Sequence, residues 1–98
     1  MAESLDTLVR RVDEDRWLAS RFAPAGVRSR LTALYALNYE ISRTAETVTQ
    51  PALGDIRLAW WREAVEEIYA GRAVRAHPAL SAFAAALREF HRRLVVQR

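Results

Sequence analysis

The residue with the largest chemical consequence in this sequence is Arg57. It lies in the stretch PALGDIRLAWWREAVEEIYAG, from Pro51 to Gly71. A helical projection at about 100° per residue gathers Trp60, Leu53, Ala64, Ile68, Trp61, Val65 and Leu58 on one arc. Arg57 falls near the middle of that arc, while Asp55, Arg62, Glu63 and Glu66 take the opposite side. A guanidinium is rarely buried without an anion, because desolvating the charge is expensive. Two chemistries satisfy it. One is a structural ion pair, with Glu46 the leading intramolecular candidate. The other is a ligand anion such as a phosphate, whose oxygens match the guanidinium fork.

Other reactive groupings are sparse. No cysteine means no disulfide scaffold and no thiolate metal site. His77 and His91 lie too far apart for a local histidine metal motif. Ser20, Ser29, Ser42 and Ser81 have no nucleophile-elbow context. Neither a phosphate-binding glycine loop nor a dinucleotide fingerprint is present.

The elements that must position Arg57 read as helices. Glycine and proline number three each and sit where helices change. Pro24 and Gly26 separate an opening helical segment, about Ser4 to Phe22, from a second helix, about Ala25 to Val48. Asp13–Glu14–Asp15 can start a separate short helix inside the opening segment. Pro51 suits the first turn of the third helix, where a missing N–H costs nothing, and Gly71 suits its stop. Pro78 opens a fourth, in which Leu80, Phe83, Ala84, Leu87, Phe90 and Leu94 follow the i, i+3, i+4, i+7 spacing. No segment sustains strand alternation. The expectation is an all-α chain of about four helical segments forming one domain, residues 1–98.

Composition bounds the rest. The chain of 98 residues is 51% hydrophobic and 28% charged, which suits a folded domain. Its net charge is +3 and its pI about 10.2, but basic and acidic residues are interspersed except in the last segment, Arg88 to Arg98. Nucleic-acid binding is therefore not expected. The opening MAESLDTLVRR lacks the apolar run of a signal peptide, and no apolar stretch reaches membrane-spanning length. The expected location is cytoplasmic. Three tryptophans and three phenylalanines exceed what so short a bundle buries easily, so self-association or a protein partner is expected.

Three blocks carry a family resemblance: DEDRWLASRFAP, LTALYALNYEIS and PALGDIRLAWWREAVEEIYAG. In this order and spacing, from about Asp13 to Pro78, they resemble the N-terminal part of the squalene/phytoene synthase family. Within it, they are similar to the divergent branch that includes complex I assembly factors. The resemblance implies the first helices of an isoprenoid-synthase-like helical fold. Family members are much longer, so the chain resembles only the beginning of their domain.

The resemblance also implies a site. In catalytic members, two aspartates at i, i+4 on the second helix hold magnesium, which neutralises the diphosphate of a prenyl substrate. The matching positions here are Ser42 and Glu46, with Arg43 where an acid is usual. Helical projection puts Tyr35, Tyr39, Ser42 and Glu46 on neighbouring sectors, beside an apolar stripe of Leu34, Leu37, Ile41, Ala45 and Val48. By resemblance, Tyr35, Ser42, Glu46 and Arg57 are the candidate diphosphate contacts and Glu46 the candidate metal ligand. Magnesium enters only if a diphosphate is bound. The bland alternative is a solvated face, with Glu40–Arg43 and Arg43–Glu46 as i, i+3 surface pairs. One carboxylate stands where the family has several, and the second aspartate-rich motif has no counterpart after Gly71. The expected function is a family member, related to prenyl diphosphate or lipid binding, that does not catalyse as this chain. The alternatives are an active head-to-head prenyl transferase and an assembly-factor-like interaction protein.

Overall fold

The computed structural model describes residues 3–47 and 49–96. They form five helices: α1 Leu5–Val12, α2 Glu14–Ser20, α3 Ala25–Thr47, α4 Pro51–Tyr69 and α5 Pro78–Val96. No strand occurs among the described residues. The all-α expectation holds, with five helices rather than four because the opening segment divides at Asp13. There the backbone leaves helical geometry (φ −148°, ψ 61°). The Asp13 N–H closes α1 on the Val9 carbonyl at 2.8 Å, while its own carbonyl accepts the Trp17 N–H at 3.0 Å and opens α2. Position 48, where the second helix and its apolar stripe were expected to end, lies outside the described residues.

Local chemistry sets the helix ends. Ser4 Oγ caps α1 by accepting the Thr7 N–H at 3.1 Å. Pro51 occupies the first turn of α4, as its sequence position requires. At the other end Gly71 is left-handed (φ 74°). Its N–H bonds the Ile68 carbonyl at 3.1 Å, and the Arg72 N–H bonds the Glu67 carbonyl at 2.9 Å. That pair of bonds is the Schellman arrangement, which only a residue tolerant of positive φ closes cheaply.

Helix α3 is central, and α1, α2, α4 and α5 all pack against it. The buried apolar residues are Val9, Ala33, Ala36, Leu37, Trp61, Ala64, Ala79, Leu80 and Ala84. Most are alanines, so the helices approach closely but bury few large side chains. Much apolar surface therefore stays open, including Phe22, Ile56, Trp60, Phe90 and Leu94.

Two projected faces need correction. On α3, Leu34 and Ala45 are exposed, and the packed stripe runs through Ala33, Ala36, Leu37, Glu40, Ile41 and Thr44. Contacts from α1, α2 and α5 turn the helix toward its small residues rather than its largest apolar ones. On α4, only the second half packs: Trp61 and Ala64 are buried, and Val65 and Ile68 half-buried. From Pro51 to Leu58 the helix buries nothing. Periodicity specifies an apolar face but not what covers it.

The loop between α4 and α5 is tied down by Arg75. Its guanidinium bonds both Glu67 carboxylate oxygens, at 2.8 and 2.9 Å. It lies 3.6 Å from Glu63 and 5.0 Å from the centre of the Trp60 ring. This bidentate contact holds the Glu67 carboxyl below its ordinary value, the hydrogen bonds from Arg75 being the largest cause.

Candidate functional site

Three helices meet where Glu40 and Thr44 of α3 face Trp61 of α4 and His77, the residue that opens α5. Trp61 Nε1 donates to Thr44 Oγ1 at 3.0 Å, and Thr44 Oγ1 in turn donates to the Glu40 carbonyl at 2.9 Å. The indole is thus buried with its one polar atom satisfied. Trp60 packs edge-on against Trp61, with ring centres 5.0 Å apart, and His77 also packs edge-on against Trp61, at 5.1 Å.

His77 is fixed by its position before Pro78. Its Nδ1 accepts the Ala79 N–H at 3.1 Å, and its carbonyl accepts the Ser81 N–H at 3.0 Å. The side chain therefore caps α5, and in the neutral ring the proton sits on Nε2. Nε2 lies 3.9 Å from a Glu40 carboxylate oxygen, too far for a direct hydrogen bond. The same Glu40 oxygen lies 3.9 Å from the Arg43 guanidinium. Glu40 is only 19% exposed, so this half-buried carboxylate between two basic groups is the most enclosed acid of the site.

The residues expected from the sequence are arranged differently. Tyr35 is half-buried and packs against the core, with the Arg16 guanidinium 5.9 Å from its ring centre. Ser42 and Glu46 lie on the exposed side of α3, away from the packed stripe. Arg57 is exposed too, and among the described residues no ion pair or hydrogen bond joins it to Glu46. The burial that made an anion necessary is absent, because the first half of α4 has no neighbour over it.

The donor set decides what Ser42 and Glu46 do with a cation. One carboxylate and one hydroxyl on an exposed helix face are too little charge for magnesium holding a diphosphate. Among the described residues no group of three or more His, Asp or Glu side chains is placed to hold a metal. The residues present do not fit the magnesium cluster that the aligned positions imply.

Sequence reasoning missed Glu40, Thr44 and His77. Two signals pointed to them. Glu40 and Thr44 are four apart on the face shared with Leu37, and His77 fills the capping slot before a proline.

A sequence model of squalene/phytoene synthase matches residues 9–97. NADH dehydrogenase (ubiquinone) complex I, assembly factor 6 from Homo sapiens is 36% identical over 62 residues, which are 63% of this chain and 19% of that protein. The proteins of the same name from Bos taurus and Mus musculus are 34% and 32% identical over the same shares. The aligned region thus spans about a fifth of the length of these relatives. No solved structure matches.

Proposed function

This chain belongs to the squalene/phytoene synthase family, and we propose that it keeps the helical frame without the prenyl-condensing chemistry and acts through protein contacts. Assembly of NADH dehydrogenase complex I, the role named for its mammalian relatives, is the form of that function we favour. Ser42–Arg43–Glu46 carries the reading. It sits on the exposed side of α3 and offers one carboxylate, so magnesium gains too few hard ligands to offset the charge of a departing diphosphate. Diphosphate or lipid contact without metal stays within the reading through Arg57 and neighbouring arginines. Among the described residues no helix is long and apolar enough to cross a membrane.

Two measurements test this. The purified chain, given farnesyl or geranylgeranyl diphosphate with magnesium, is expected to release no pyrophosphate and form no condensed isoprenoid. Magnesium-dependent product lost on Glu46→Ala would restore the prenyl transferase. Disruption of the encoding gene is expected to lower assembled complex I on native gels. An unchanged level of the complex would remove the assembly role.

A further inference from the structure

We propose that the groove between the first half of α3 and the last half of α5 docks an amphipathic helix of a partner protein, apolar on one face and flanked by carboxylates. The groove has a volume of about 560 Å³ and is floored by Leu31, Leu34, Phe83, Leu87, Phe90 and Leu94, with Arg30 and Arg93 also on its walls. Leu34 of α3 and Phe90 and Leu94 of α5 are 48%, 52% and 47% exposed, so both sides of the groove present large apolar side chains to water. From Phe83 to Leu94 the floor runs about 16 Å at the helical rise. That accommodates roughly three turns of a partner helix with anchors at i, i+3, i+4 and i+7.

Charge selects the occupant. Of the arginines between Asp15 and Glu40, Arg30 lines the groove, whereas Arg16 and Arg21 pair with Asp13 and Asp6 away from it. Beyond Glu67 the only acid is Glu89, and it is already bonded by both Arg92 and Arg93. No acid lines the groove, and Arg30 has no ion pair among the described residues. A second copy would bring the same arginines face to face, which like-charge repulsion disfavours. A small apolar ligand would be poorly enclosed in so open a trough. A membrane surface is flat or convex toward the protein and does not fill a concavity between two helices. A helix with flanking Asp or Glu satisfies both the apolar floor and the walls.

The inference locates the protein contact that the proposed function needs, but it rests on the groove alone. Its test is direct binding, so a failure here leaves the gene-disruption result standing, and the reverse. The probes are two synthetic helical peptides with the same leucine stripe, one flanked by Glu and one by Lys, titrated into the intact chain by fluorescence anisotropy. The Glu peptide is expected to bind at least about tenfold more tightly and to weaken with salt. Arg30→Glu is expected to reverse that preference. Leu94→Asp, at an exposed position near the helix end, is expected to abolish binding with helicity retained, which keeps the test valid should the Arg30 variant fold poorly. Equal binding of both peptides, or binding of neither, overturns the proposal. So does capture by anionic phosphatidylglycerol vesicles in place of the peptide. A concentration-dependent dimer broken by Leu94→Asp would assign the groove to a second copy instead.

Discussion

The Trp61 indole N–H is held by the Thr44 hydroxyl at 3.0 Å, across the contact between α4 and α3. Trp61 is 7% exposed, so losing this acceptor strands a buried donor. Thr44→Val, nearly equal in shape, is expected to destabilise by about 1–3 kcal/mol. Thr44→Ser restores the acceptor and is expected to recover most of that loss. Urea denaturation of the two variants beside the parent measures it, and equal midpoints for Val and Ser would show that the hydroxyl contributes nothing.

Leu80 is the largest fully buried side chain, in a core it shares with Val9, Leu37, Trp61 and several alanines. Ala36, Ala64 and Ala79 of the same cluster have no side-chain rotamers with which to fill the space it leaves. Leu80→Ala is expected to cost about 2–5 kcal/mol, toward the upper end. A smaller loss in denaturant would mean that α5 shifts to fill the cavity.

Gly71 isolates backbone conformation from packing. A Cβ built there meets nothing within 4 Å, yet the residue sits at φ 74°. Gly71→Ala is therefore expected to destabilise by about 1 kcal/mol through the left-handed conformation alone. A thermal midpoint equal to that of the parent would show that the Schellman turn relaxes without cost.

Much of this architecture was legible in the chain. Pro51 and Gly71 bound α4 because proline and glycine act on the backbone locally, wherever the helix later packs. The family blocks were legible for a similar reason, being contiguous. What failed was the assignment of buried faces. Arg57 sits among Leu53, Leu58 and Trp60 on a projection, but all four are exposed, since only the second half of α4 meets α3 and α5. Glu40, Thr44 and His77 were missed because their meeting depends on where three helices cross.

Acid should probe the ion pairs at the chain's basic end. Hydrogen bonds from Arg92 and Arg93 lower the Glu89 carboxyl from 4.5 to about 2. A depressed carboxylate stabilises the fold fully above its unfolded value, and that contribution is lost as pH falls through the folded value. The advantage of the parent over Glu89→Gln is therefore expected to be constant above about pH 4.5 and to fade between there and about pH 2. Glu67, lowered by Arg75, is expected to follow the same direction. Thermal midpoints across this range check both, and an advantage that persisted at the acid limit would show that the contacts are not ionic.

Arg57 gives the sharpest contrast between sequence and structure. Buried and paired, its removal would have cost on the order of 3–5 kcal/mol. Exposed and with no ion pair among the described residues, it leaves no uncompensated charge behind when removed. Arg57→Ala is expected to change stability by no more than about 0.5 kcal/mol. Any role then lies in an external anion, which a second readout isolates: titration with inorganic pyrophosphate in the absence of magnesium. Weaker pyrophosphate binding in a variant of unchanged stability would assign Arg57 to ligand contact. A large loss of stability would return it to the interior of the fold and reverse the structural placement of the first half of α4.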